Sequence, residues 1–233
     1  MEYTPSKELK EFMFQFLTDE KIRRFNDIVD QRTRHITVVL EDVYQAQNTN
    51  AVLRSCECFG VQDVHLIQNK YEFEIVQDVS LGSAKWLNIK QYKEEGDNTL
   101  ACFELLKKQG YKIICASPHE NEVDLNEINI DQKTAFVIGS ELEGISSIAK
   151  DNCDGFMKIP MVGFTESLNL SNCSAVIFQH LTNRLRKTNI NWQLTEDEKT
   201  AILIEWCFEV TGRRDLLLDY FLSKVDSNLN QAP

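Results

Sequence analysis

The stretch Ile159-Pro-Met-Val-Gly-Phe-Thr-Glu-Ser-Leu-Asn-Leu-Ser171 decides how the rest of the chain is read. It begins as the end of a short apolar strand, breaks at Pro160 and Gly163, and then offers Thr165, Ser167 and Asn169 as successive helix-capping side chains. The apolar run from Ala175 to Leu185 predicts the helix that follows, so the loop brings backbone N–H groups and small polar side chains to the mouth of a helix. Such a mouth suits a polar ligand. An ordinary N-cap has the same look, so the stretch gains meaning only from its neighbours.

Two further stretches supply them. In Phe136-Val-Ile-Gly-Ser-Glu-Leu-Glu-Gly-Ile-Ser146 a buried strand runs into a turn with glycine at 139 and 144. In Asn48-Thr-Asn-Ala-Val-Leu-Arg-Ser-Cys-Glu-Cys-Phe-Gly-Val61, Asn48 is placed to cap a helix that runs to Phe59 and is closed by Gly60 in the left-handed conformation. Arg54 follows Ala51, Val52 and Leu53, which puts it at the edge of an apolar face or partly under it. There it either snorkels toward water or presents its guanidinium fork to phosphate oxygens.

Around these stretches strands and helices alternate. Strands are predicted at 36–40, 64–67, 87–91, 111–116, 134–138 and 156–159, with helices at 98–109 and from Ser146, and a loop over 123–131. The pattern predicts an α/β fold with a mainly parallel sheet, whose ligands lie beyond the C-terminal strand ends. Residues 6–30 form two helices parted at Thr18-Asp19-Glu20. Beyond a linker at 188–193, two more are expected: 195–208, opened by the capping box Thr195-Glu-Asp-Glu198, and 213–224, ahead of a frayed tail at 226–233. The division is thus a helical extension at 1–35, a core at 36–187 and a second extension at 188–233.

With 233 residues, 42% of them hydrophobic, the chain supports one substantial core. Its net charge of −11 disfavours broad affinity for nucleic acid but allows a local basic patch. The sequence offers no apolar window long enough to span a membrane and no signal peptide, so the cytoplasm is the expected location. Seven cysteines sit mostly in apolar segments; Cys56 and Cys58 point different ways on a helix, and no metal site is expected. No Gly-x-Gly-x-x-Gly follows the first strand and no P-loop occurs.

Together, in this order and at these separations, the three stretches resemble the motifs of the SpoU/TrmH branch of the SPOUT methyltransferases. The resemblance covers residues 36–187, and Gly82-Ser-Ala-Lys-Trp86 is similar to a feature between the first and second motifs of the TrmH-type subgroup. It implies a SPOUT (α/β knot) fold, a parallel sheet with a C-terminal trefoil knot, flanked by short helical extensions and assembled as a homodimer. It implies S-adenosyl-L-methionine as cofactor, held largely by main chain at Ala116, Gly139, Ser140, Gly144, Ile159, Met161 and Leu168. The residues matching the family's reaction centre are Asn48, Arg54, Glu141, Ser167 and Asn169, with helix capping the other reading for the last two and loop anchoring the other reading for Glu141.

The reaction implied is methylation of a ribose 2′-hydroxyl, and the subgroup points to tRNA, at the D-loop guanosine of nucleotide 18. Ribosomal RNA or another tRNA nucleoside is the alternative, and a non-catalytic RNA-binding protein of the same fold a further one. Arg23, Arg24, Arg32, Arg34, Arg184, Arg186 and Lys187 are the candidate RNA contacts. Asn172-Cys-Ser174 departs from the small or aliphatic residues usual after the third motif, which points to an altered pocket floor or dimer-facing helix.

Overall fold

The computed structural model describes residues 3–71, 82–117, 122–165 and 167–229, and the chain divides into two units, Met1–Arg32 with Gln193–Pro233, and Thr33–Trp192. The two terminal segments therefore belong to one helical unit. Its first helices are α1 (Lys7–Phe14) and α2 (Asp19–Val29), each opened by a hydroxyl cap, Ser6 on Leu9 N and Thr18 on Lys21 N.

In the second unit β1 (Ile36–Glu41) is buried at every position, because helices cover both faces of the sheet. Then come α3 (Ala46–Phe59), β2 (Asp63–Ile67), a 3-10 turn at Ala84–Trp86, β3 (Asn88–Tyr92), α4 (Asn98–Lys108) and β4 (Lys112–Ala116). They are followed by β5 (Val123–Asp124), β6 (Thr134–Ile138), α5 (Ser147–Asn152), β7 (Gly155–Lys158) and α6 (Leu170–Leu185). Among the described residues all strand pairings are parallel, in the order β3-β2-β1-β6-β4-β7-β5. The strand β5 was expected as loop; two residues paired to β7 carry no periodicity to read.

Alternation along the strands sorts the core into two layers. Val38 and Leu40 face the layer of Val52, Leu53 and Cys56 from α3 and Ile177, Phe178 and Leu181 from α6, whereas Val39 faces Cys102, Phe103 and Leu106 of α4. Gly60 closes α3 at φ +81°, the left-handed terminus the sequence calls for.

The helical unit resumes with α7 (Glu196–Thr211) and α8 (Arg214–Leu229). The Thr195–Glu198 capping box is formed in both directions. The last helix runs on to Leu229, through the first half of the stretch expected to fray; residues 230–233 lie outside the described residues. Ile202, Leu203, Ile204, Trp206, Cys207 and Phe208 make α7 the core of this unit, and the Arg32 guanidinium lies 5.4 Å from the Trp206 ring centre.

Candidate active site

Beyond the C-terminal ends of β4, β6 and β7 lies a cavity of about 600 Å³, lined by all three strand ends and by the loops that follow β6 and β7. Its size falls within the roughly 300–1,000 Å³ usual for small-molecule sites. Gly139 forms its tightest wall. A Cβ at 139 would stand 2.2 Å from the Gly144 carbonyl oxygen and 2.5 Å from the Ile145 nitrogen, so no side chain fits there. The turn it opens is closed by Ser140 N–H donating to Gly144 O at 3.1 Å and Gly144 N–H to Ser140 O at 2.8 Å, with Gly144 at φ +69°.

This turn is anchored from below by Glu41, at the end of β1 and 1% exposed. Its carboxylate accepts from Thr99 Oγ1 at 2.7 Å and from both the backbone N–H and the hydroxyl of Ser146, at 3.0 and 2.7 Å. Ser146 Oγ in turn caps α5 through Ala149 N–H. Three donors to one buried carboxylate remove the desolvation cost that an unpaired charge would carry. Sequence reasoning missed Glu41. The available signal was a carboxylate ending a continuous β-branched and aliphatic run that reads as a buried strand, where partners are needed.

A second set of hydrogen bonds ties the three motifs together. Asn48 Nδ2 donates to Glu141 Oε1 at 2.6 Å, Tyr44 N–H donates to Glu141 Oε2 at 3.1 Å, and Asn169 Nδ2 donates to Asn48 Oδ1 at 3.2 Å. Asn48 was expected as the cap of α3, but the helix starts earlier, at Ala46, and Gln45 caps it without a side-chain bond. The Asn48 amide is spent across the site instead. Of the three capping candidates Asn169 is the one that caps α6, accepting from Ser171 N–H at 2.9 Å, and Thr165 and Ser167 do not.

The loop after β7 has a different character. Among the described residues, those at 160–168 make no hydrogen bond with one another or with the rest of the chain. Val162 and Phe164 are fully exposed, at 105% and 108%. Met161, Ser167 and Leu168 nevertheless line the cavity. Cys173, from the divergent Asn172-Cys-Ser174, reaches the cavity too, and burial pushes its thiol up to about 11, leaving it neutral and a poor nucleophile. Ser174 is buried and bonds back to Leu170 O.

Residues 35–179 match the SpoU rRNA Methylase family. The chain belongs to that family. It is 37% identical over 196 residues to a Borreliella burgdorferi protein named tRNA (guanosine(18)-2′-O)-methyltransferase, covering 84% of this chain and 88% of the relative. A Thermus thermophilus protein of the same name is 31% identical over 170 residues, 72% of this chain and 86% of the relative. The solved A. aeolicus TrmH/SpoU tRNA modifying enzyme superposes with a TM-score of 0.72 at 24% identity, over 82% of this chain and 96% of that one, a likeness of fold.

Within this family frame the residues singled out by sequence fall into groups. Ala116, Gly139, Ser140, Gly144, Ile159, Met161 and Leu168 all line the cavity, and so do Asn48, Glu141, Ser167 and Asn169. Arg54 does not. It is exposed on α3 beside the buried Val52 and Leu53, and it has no hydrogen bond or ion pair among the described residues.

The basic residues divide sharply. Arg32 is 1% exposed, so its burial takes it out of the set that could meet RNA at the surface. Arg34 pairs with Asp63 at 3.0 Å. Arg184 donates to Leu125 O and Ile128 O, and Arg186 donates to Phe59 O and lies over Trp192. Arg23, Arg24 and Lys187 are exposed. Among the described residues no group of three or more His, Cys, Asp or Glu could hold a metal ion, and no helix is long and apolar enough to cross a membrane.

Proposed function

We propose that this chain is an S-adenosyl-L-methionine-dependent RNA methyltransferase that acts on the ribose 2′-hydroxyl of the guanosine at nucleotide 18, in the D-loop of tRNA, as a cytoplasmic homodimer. The observation that carries the reading is the Asn48–Glu141–Asn169 bracket, which joins three separate motifs at one cavity and leaves Arg54 free on the same helix as Asn48. The names of the Borreliella and Thermus relatives support the tRNA guanosine.

The cavity suits the cofactor. The close packing of Gly139 on the Gly144–Ile145 backbone fixes the turn that walls it, and Ile138, Ile145, Met157 and Leu170 give it apolar surface for an aromatic ring system. S-adenosylmethionine, when bound, supplies an electrophilic methyl group on a sulfonium sulfur. The chain's own residues have to orient the ribose and manage its proton. Arginine stays protonated in proteins, so Arg54 is not the base. It grips the adjoining phosphate and stabilises negative charge developing on the ribose oxygen, while phosphate or water takes the proton. Ser167 and Asn169 orient the ribose. Positioning of this kind contributes on the order of 7–11 kcal/mol in favourable cases.

Val162 and Phe164, with Leu142 at 68% exposure, leave apolar surface beside the cavity that a second copy would cover. The knot implied by the family would hold the 139–145 and 159–169 loops side by side. Arg23, Arg24 and Lys187 remain the candidates for phosphate contact. Binding should weaken as salt rises, since the overall charge of −11 leaves only local attraction.

The test is incubation with labelled S-adenosylmethionine and an unmodified tRNA transcript, with the methylated nucleotide mapped. 2′-O-methylguanosine at nucleotide 18 is the expected product. Methylation confined to ribosomal RNA would replace the substrate, and cofactor binding without transfer to any RNA would overturn the enzymatic reading.

A further inference from the structure

The rim of the cavity carries a feature that the methyl-transfer reading leaves unused. Tyr44, between β1 and α3, is 58% exposed, and its ring centre lies 5.1 Å from that of Tyr71 with the planes at 72°, an edge-to-face pair. This pair is built by the fold. Asp42 sits at φ +50°, a conformation uncommon for a non-glycine residue, and its Oδ1 accepts from Asn69 N–H at 2.7 Å and Lys70 N–H at 2.8 Å. One carboxylate thereby ties the segment after β2, which leads to Tyr71, to the segment after β1, which leads to Tyr44. The backbone of Tyr44 is fixed as well, through its N–H on Glu141 Oε2. Its chain neighbour Gln45 lines the cavity, as does Asn48.

A large aromatic ring held in water at the mouth of a site, with backbone and neighbour both fixed, is suited to a flat partner. We infer that Tyr44, backed by Tyr71, is a stacking platform for a nucleobase of the RNA next to the methyl-accepting ribose. The inference rests on the RNA methyltransferase reading above and adds a binding residue to it. Charge strengthens the argument. With a net charge of −11 and most of the candidate arginines engaged in internal contacts, phosphate attraction is confined to a few positions, and stacking supplies affinity that does not depend on counterion release.

The experiment compares wild type with Tyr44→Phe, Tyr44→Leu and Tyr44→Ala in the full chain, measuring affinity for unmodified tRNA at two salt concentrations, methyl transfer, and affinity for S-adenosylhomocysteine. Tyr44→Phe should match wild type within about twofold, because the ring face is kept. Tyr44→Leu keeps apolar bulk without the ring and should weaken tRNA binding by about 5- to 100-fold, as should Tyr44→Ala, by the same factor at both salts and with cofactor affinity unchanged. An RNA affinity for Tyr44→Leu equal to that of an active wild type would overturn the platform and leave the methyltransferase reading standing. A loss that resides in cofactor affinity would overturn it equally. A wild-type chain that neither binds nor methylates RNA would sink the reading and the platform together.

Discussion

The two loops that wall the cavity are made in opposite ways. The turn from Gly139 to Ile145 is closed by its own backbone, anchored by Glu41 through Ser146, and bracketed by Asn48 through Glu141. The loop at 160–168 has no hydrogen bond among the described residues and turns Val162 and Phe164 outward. The difference teaches that the chain closes one wall of the cavity with its own hydrogen bonds, whereas among the described residues the other wall has none of its own. In the proposed function the cofactor inside and a second copy outside complete that wall.

The strongest way to break this contrast is at its rigid side. Gly139→Ala places a methyl group where the Gly144 carbonyl already stands, and should abolish measurable cofactor binding by calorimetry while lowering the melting temperature. Next comes Asn48→Ala, which removes the link between Glu141 and Asn169 and should reduce methyl transfer about 10- to 100-fold, corresponding to roughly 1–3 kcal/mol for a network left partly unsatisfied.

The soft side should respond differently. In the proposed homodimer, Phe164→Ser combined with Val162→Ser should leave the monomer's denaturation midpoint unchanged and shift the chain toward monomer in sedimentation; an unchanged dimer would remove that loop from the proposed interface. The smallest effect on the site is expected from His65, buried on β2 beside Tyr92 of β3. Burial, helped by the charge of Lys90, pushes its imidazole down from 6.5 to about 4. The unfolded chain therefore binds the extra proton between those values, so stability is full above pH 6.5 and falls as pH drops toward 4. Between pH 6.5 and 5 the loss should be about 2 kcal/mol in denaturant titrations, and His65→Gln should flatten it.

Much of this frame was legible in the sequence. Thr134 to Ile138 reads as a strand and is one at those residues, and the Thr195–Glu198 capping box forms as its spacing demands, because both signals are local. The residues of the cavity were recoverable through the family motifs. What could not be read was how side chains divide between local and distant partners. Asn48 is a good cap by propensity, yet a carboxylate 93 positions along the chain holds its amide. Arg32 and Arg184 belong to basic clusters in sequence, but one is buried and the other is held by backbone carbonyls, and neither fate leaves a periodic trace.

The central claim is that the cavity binds the methyl donor while Arg54, outside it, serves the transfer. Single-turnover transfer to tRNA by wild type, Arg54→Lys and Arg54→Ala, with cofactor affinity measured on each, tests it most directly. The account predicts unchanged cofactor affinity and a severe loss of transfer in both variants, since lysine lacks the fork that grips phosphate. Near wild-type transfer by Arg54→Lys or Arg54→Ala would contradict it.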